Sequence, residues 1–332
     1  MRVLVTGGAG YVGSHTVRAL REAGHQVWVL DNLSRGHAEA VPADLLTVGD
    51  VRDIALVCRL LRQHRIEAVC HFAAFALVGE SWHQPQAYYQ NNVLGSYTLL
   101  EAMLQSDVRL MVFSSTCAVY GVPSSIPITE ASATNPINPY GRTKLAVEWA
   151  LADLCQAGQI GYATLRYFNA AGAAADGSLG EDHEPETHLI PLVLQTALGL
   201  RPYVEVYGTD YDTPDGTCIR DFVHVDDLAD AHVRALARLR PGQAIVCNLG
   251  IGRGYSVREV ISACQEISHR PIAVRQAPRR LGDPPCLVAD ATRAQELLGW
   301  QPRYRDLHSI IETAWRWHAS HPYGFRSVRS IG

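Results

Sequence analysis

A phenol and an ammonium stand four residues apart in the segment Asn138-Pro139-Tyr140-Gly141-Arg142-Thr143-Lys144. Asparagine caps helices and proline suits the first helical position, so the pattern predicts a helix from Pro139 to Gln156. On that helix Tyr140 and Lys144 share a face. A cation beside a tyrosine favours the phenolate and lowers its pKa. Such a phenolate can take a proton from a sugar hydroxyl near neutral pH. Moving a phenol from about 10 to about 7 takes roughly 4 kcal/mol of differential stabilisation. One lysine does not supply all of that, so a second positive charge is expected close by. Taken alone, Tyr-x-x-x-Lys is more often a half-buried tyrosine beside a solvated lysine. The rest of the chain reverses those odds.

The elements that must position this pair begin at the amino terminus. Arg2-Val3-Leu4-Val5-Thr6 is a β-prone apolar run and reads as a buried strand. It leads into Gly7-Gly8-Ala9-Gly10-Tyr11-Val12-Gly13 and then a helical pattern to about Ala23. Glycines here make the tight turn, admit a pyrophosphate to the backbone and let helix pack on strand. The phosphates would rest on the helix N-terminus. A second strand, Gln26 to Leu30, ends at Asp31, 21 residues past Gly10. A carboxylate there binds a ribose 2′-hydroxyl and repels a 2′-phosphate, so NAD is expected over NADP. Arg35 leaves the other choice open, because a nearby arginine can accept that phosphate. An oxidised nicotinamide near Tyr140 would be the missing positive charge.

Size and charge narrow the class. The chain has 332 residues, 47% of them hydrophobic and 19% charged, with a net charge of −4. Two modest domains or one large one fit that length. No long basic run points to nucleic acid, and no apolar stretch approaches a membrane span. With the first strand starting at residue 2, no signal peptide is expected, and the cytoplasm is the expected compartment. Eight cysteines without a C-x-x-C read as free thiols. Among 14 histidines, His183 and His188 come closest to a cluster, and no metal site is expected.

Strand and helix signals alternate as far as residue 167. Leu45–Gly49, Glu67–Phe72, Arg109–Ser114 and Tyr162–Tyr167 read as strands. Asp53–His64, Gln86–Ser106 and Pro139–Gln156 read as helices. This predicts an α/β, Rossmann-type doubly wound parallel sheet. From about Ala170 the composition turns to Gly, Asp, Pro and Thr, with loops at 172–186 and 208–217. A helix near Leu189–Leu200 and a strand near Tyr203–Tyr207 interrupt them. Val225–Arg238, Val257–Ser268 and Leu307–Trp317 read as helices, and Ala244–Leu249 as a strand returning to the first sheet. The expected division is a cofactor domain of residues 1–172 and 224–250. A smaller, interleaved α+β substrate domain would hold residues 173–223 and 251–332.

With these residues in hand, the chain resembles the extended short-chain dehydrogenase/reductase superfamily, and within it the UDP-hexose 4-epimerase branch. The resemblance runs nearly end to end, through MRVLVTGGAGYVGSH, FSSTCAVYG, NPYGRTK, LRYFNAAGA and GEDHEPETHLIP. The glycine pattern and Tyr-x-x-x-Lys mark only the superfamily, whereas GTDYDTPDGTCIRDFVHV marks the branch. It implies NAD-dependent 4-epimerisation of UDP-glucose and UDP-galactose through a 4-keto sugar, within galactose metabolism. It also implies a homodimer. Tyr140 would be the base, Lys144 would bind the nicotinamide ribose, and Thr116 would hydrogen-bond the sugar 4-hydroxyl. Gly7, Gly10, Tyr11, Val12, Gly13, Asp31, Asn32, Asp50, Val51, Phe72, Ala73, Asn91, Ser114 and Tyr167 would contact the cofactor. Asn169, His188, Leu189, Tyr207, Arg220, Arg280, Asp283 and Cys286 would contact the UDP-sugar. Two arginine forks match a pyrophosphate.

Three positions depart from the branch. Ala76 replaces a lysine that some members carry. His188 stands where an asparagine is common. Cys286 stands where some members place a tyrosine, and the smaller wall should admit a 2-acetamido group. A 4,6-dehydratase would carry acids straight after its catalytic threonine, whereas Cys117-Ala118 follow Thr116. A UDP-pentose 4-epimerase needs the same residues and stays open. An NAD-sensing protein without catalysis would not need Tyr140, Lys144 and Thr116 together. The homodimer is expected to pair two helices across a two-fold axis. Val93, Tyr97, Leu100 and Leu104 would form one stripe, and Leu145, Trp149 and Ala152 the other.

Overall fold

The computed structural model describes residues 1–280 and 282–325. Seven parallel strands form its central sheet. They are β1 (Arg2–Thr6), β2 (Gln26–Asp31), β3 (Leu46–Val48), β4 (Ala68–His71), β5 (Leu110–Thr116) and β6 (Gly161–Tyr167), with Ala244–Leu249 outermost beside β6. From one edge the order is β3-β2-β1-β4-β5-β6 and then Ala244–Leu249. The chain runs outward from β1 in both directions, so a crevice opens where β1 and β4 part.

Both faces of the sheet are covered, which is why its strands are largely apolar. Val3 and Val5 pack against Val17, Leu20, Leu228 and Ala231 on one face. Leu4, between them, packs with Val57, Leu61, Leu99, Met103 and Leu151 on the other. The helices supplying these residues include Tyr11–Glu22 and Val225–Arg238 on the first face. Ile54–Gln63, Gly95–Gln105 and Pro139–Gln156 cover the second.

A third apolar cluster lies in the carboxyl-terminal half, built on Ile190, Val193, Leu194, Val206, Phe222, Val260 and Ile310. Its strands are β7 (Asn169–Ala171), β8 (Val204–Tyr207), β9 (Ile219–His224) and, past β10 (Ala244–Leu249), β11 (Gly254–Ser256), β12 (Val274–Ala277) and β13 (Cys286–Leu287). β9 pairs with β7, β11 and β13, and β8 pairs with β12. Among the described residues no helix is long and apolar enough to cross a membrane.

One expected helix differs. Gln86–Ser106 is not a single α-helix: Pro85–Tyr88 is α-helical, Tyr89–Leu94 is a wide π-helical segment, and Gly95–Gln105 resumes the α-helix. The buried Asn92 in the π segment turns to other elements. Its amide accepts from Phe75 N at 2.8 Å and donates to Phe75 O and Thr143 Oγ1 at 3.0 Å. Widening the turn rephases the faces on either side of it. The expected dimer stripe is corrected in part, since its members Tyr97, Trp149 and Ala152 are exposed as expected and two others are buried. Leu100 and Leu145 are buried in the interior, while Tyr89, Leu94, Tyr97 and Trp149 stand exposed.

Candidate active site

The helix bearing Tyr140 and Lys144 starts as its sequence dictates. Asn138 caps it, its Oδ1 accepting from Gly141 N at 2.8 Å, and Pro139 opens it. Tyr140 is 9% exposed and Lys144 3%. The Lys144 ammonium turns to the sheet, donating to Ser114 O at 2.8 Å, and lies 4.9 Å from the Phe113 ring centre. The simple picture of a lysine lowering the phenol pKa therefore needs correction. Burial pushes Tyr140 well above its ordinary value, Tyr167 adds to this, and the Thr116 hydroxyl offsets part. Burial also pulls Lys144 down to about 7, against the opposing charge of Glu148. Neither group is poised by the other alone.

Around this pair lies a cavity of about 1160 Å³. Its wall includes Gly7, Gly10, Tyr11, Val12, Gly13, Asp31, Asn32, Val51, Phe72, Ala73, Asn91 and Ser114 from the amino-terminal elements. Thr116, Tyr140, Lys144 and Tyr167 join them. The same wall continues through Asn169, His188, Leu189, Tyr207, Arg220, Arg280 and Asp283. Two expected contacts stand outside it. The Asp50 carboxylate is taken up by Arg52 at 2.7 Å and by Asn32 Nδ2 at 3.1 Å, and the Arg52 bond holds it well below the usual range. Cys286 pairs with Ile219 at the edge of β9, next to Leu287, which does line the cavity.

The glycine turn fits a pyrophosphate. Gly7 sits at φ +71°, and a Cβ there would lie 2.4 Å from Ala73 N. A Cβ on Gly13 would lie 2.2 Å from Gly7 O. Gly10, the N-cap of helix Tyr11–Glu22, offers no capping side chain, so the first N–H groups remain for an anion. Asp31 ends β2 and shapes the turn, accepting from Ala9 N at 2.9 Å and Leu33 N at 2.8 Å. Arg35, the residue that left NADP open, is spent elsewhere. It bonds Glu80 at 2.5 Å and Glu184 O at 2.9 Å. A carboxylate paired to that guanidinium removes the free cation that a 2′-phosphate would need.

Elsewhere along the wall the guanidiniums are already held. Arg220 is paired with Asp283 and Arg280 lies 4.0 Å over the Tyr207 ring. Tyr207 bonds to Glu205, Tyr167 to Ser114, and Asn169 Nδ2 donates to Asp221 O at 2.9 Å. Asn91 donates to Asn92 at 3.0 Å.

Sequence reasoning passed over the support beneath Lys144. Glu148, one turn further along, accepts from Ser115 and pairs with Arg166 at 2.5 Å, and Arg166 also reaches Tyr120 at 2.9 Å. The i,i+4 spacing of Lys144 and Glu148 was the available signal. It also passed over Glu181 and left His183 out of the site, yet both line the cavity beside His188.

Residues 3–250 match the family described as NAD dependent epimerase/dehydratase. The chain belongs to that family. Among NAD dependent epimerase/dehydratase relatives, the UDP-glucose 4-epimerase of Halalkalibacterium halodurans is 53% identical over 326 residues, covering 98% of each chain. The structure of the Brucella ovis UDP-glucose 4-epimerase in complex with NAD is 50% identical, with a TM-score of 0.90 over 95% of this chain and 97% of that one. The Bifidobacterium longum UDP-glucose 4-epimerase in complex with NAD+ and UDP is 39% identical, with a TM-score of 0.94 over 98% and 100%.

Proposed function

We propose that this protein is an NAD-dependent 4-epimerase that interconverts UDP-glucose and UDP-galactose. One observation carries the reading. Tyr140, Lys144 and Thr116 share the wall of a cavity whose lining also includes the glycine turn and both Arg220 and Arg280. A base for a sugar hydroxyl thus shares one space with a dinucleotide cradle and two diphosphate forks.

Tyr140 takes the proton from the 4-hydroxyl, and Thr116 holds that oxygen against the phenol. Held by the glycine turn and Asp31, NAD would supply a reversible hydride acceptor for the sugar C4, so that hydride can return to either face, and a positive ring charge. The Ser114 carbonyl holds Lys144 one helical turn from Tyr140, the Glu148 charge favours its protonated form, and a protonated ammonium there favours the phenolate. Arg220 and Arg280, fixed by Asp283 and Tyr207, anchor the diphosphate. Binding energy then rests on the nucleotide, remote from the reacting carbon, and the hexose stays free to turn over between half-reactions. Tyr140 afterwards returns the proton. The cofactor domain of this reading is residues 1–172 and 224–250, and the substrate domain is 173–223 and 251–332. The protein acts as a homodimer.

Incubation of the purified protein with UDP-galactose should yield UDP-glucose with no net NADH. A 4-keto-6-deoxy sugar, or no product, would overturn the assignment. The supernatant of the denatured protein should contain NAD; mainly NADP there would refute the reading of Asp31.

A further inference from the structure

Just before the helix Leu189–Ala197, four side chains of metal-ligand type converge. Glu181, His183, Glu186 and His188 each bring one donor atom, all within 4.8 Å of one another. His188 Nδ1 lies 2.9 Å from Glu181 Oε1 and 2.9 Å from Glu186 Oε1. His183 Nδ1 lies 3.2 Å from Glu181 Oε1 and 3.7 Å from Glu186 Oε2. Ligands held at about 2.0–2.1 Å around a tetrahedral zinc stand about 3.3 Å apart. The four carboxylate–imidazole separations, 2.9 to 3.7 Å, bracket that figure.

A second observation points to a ligand. His183 Nδ1 and Glu186 Oε2 are buried and make no hydrogen bond, their ion pair being stretched to 3.7 Å, and the Glu186 side chain is only 6% exposed. Its other oxygen is committed, accepting from the N–H groups of Thr187 and His188 at 2.8 Å each. A buried acceptor whose facing donor stands too far for a hydrogen bond is costly unless something else satisfies it. The loop is also held in place before any ligand arrives. Trp317 Nε1 donates to Glu181 O at 3.1 Å, and Phe325 N donates to Asp182 Oδ2 at 2.9 Å. His37 Nε2 lies 3.1 Å from Asp182 O.

We infer that Glu181, His183, Glu186 and His188 form a binding site for a divalent transition metal, with Zn²⁺ the best match. Two imidazole nitrogens disfavour Ca²⁺ and Mg²⁺, which take oxygen ligands. Two carboxylates balance the ion's charge while both imidazoles bind as neutral ligands. Since Glu181, His183 and His188 line the cavity, the ion fastens one stretch of its wall. The site shares His188 with the wall expected to contact the UDP-sugar, and its test does not depend on turnover.

Full-length, tag-free protein, treated with chelator and dialysed, is titrated with Zn²⁺ by calorimetry. One equivalent should bind and raise the melting temperature. Glu186→Gln, which keeps shape and removes charge, should weaken binding at least tenfold. The double variant His183→Asn/His188→Asn should weaken it by about 100-fold or more. Co²⁺ in the same site should show the visible bands of a tetrahedral ion without thiolate charge transfer. Absence of one-to-one uptake in the wild type would overturn the site and leave four groups joined by protons alone. So would unchanged affinity in Glu186→Gln, which also serves if the double variant does not fold. A thiolate band would place the metal on cysteine and refute the assignment.

Discussion

At the scale of single residues, burial dominates the chemistry. Tyr140 is hard to ionise where it stands, so its replacement removes a proton acceptor that no neighbour duplicates. Tyr140→Phe should lower kcat by roughly 10²–10⁴-fold while bound NAD is retained. A variant keeping more than a tenth of the wild-type rate would take Tyr140 out of the role. Lys144 yields a pH effect. Its pKa falls from an ordinary 10.5 to about 7, so between those values the unfolded chain binds more protons than the folded one. Stability should therefore rise with pH across that window. Denaturation midpoints from pH 7 to 10 should climb more steeply in the wild type than in Lys144→Met at equal NAD occupancy. Parallel profiles would contradict the burial of an ionisable amine. Cys286 stands beside Leu287 at the cavity edge and close enough to Arg220 for that charge to act on its thiol. Cys286→Tyr should cut kcat/KM for UDP-N-acetylglucosamine relative to UDP-glucose by about tenfold or more. An unchanged ratio would assign acetamido selection to other residues.

At the scale of elements, the glycine turn is the least tolerant part of the site. In Gly13→Ala the new methyl meets backbone, Gly7 O and Gly8 Cα, rather than a side chain that could step aside. The expected cost is about 1–3 kcal/mol of stability, with loss of co-purified NAD. Wild-type NAD content and melting temperature in this variant would refute the tight-turn argument. Legibility differs sharply between elements. Pro139–Gln156, Val225–Arg238, Val257–Ser268 and Ala244–Leu249 match their expected bounds, because caps and periodicity are local signals. β9 was not read, because Arg220 and Asp221 break its apolar pattern. Asp221 is fully buried, and its carboxylate accepts from Ile251, Gly252 and Ala289 N–H groups at 2.9 to 3.1 Å. Those partners lie about 30 and 68 residues away along the chain, so no local window displays them.

At the scale of the molecule, one face is unusually apolar. Tyr89, Leu94, Tyr97 and Trp149, on the adjoining helices, are 44%, 55%, 49% and 61% exposed. Exposed aromatic patches of this kind mark association sites. Light scattering at micromolar concentration should give about twice the 36.4 kDa chain mass. Tyr97→Glu/Trp149→Glu should return the mass to a single chain. A monomeric wild type, or an unaffected double variant, would exclude this face as the dimer contact.

The sequence by itself determined the parts whose physics is local. The glycine turn after β1, the acid at the end of β2, and the capped helix carrying Tyr140 and Lys144 all follow from short-range sterics and periodicity. The alternation of strands and helices likewise determined the parallel sheet. Only the tertiary structure decided what those groups feel. It buried the lysine beside Ser114 and Glu148, paired Arg35 with Glu80, and widened the helix at Asn92 so that only part of the expected apolar stripe met solvent. It also folded Glu181, His183, Glu186 and His188 onto one point. Burial, desolvation and ion pairing depend on what long-range packing places beside a group, and residue spacing alone does not specify those neighbours.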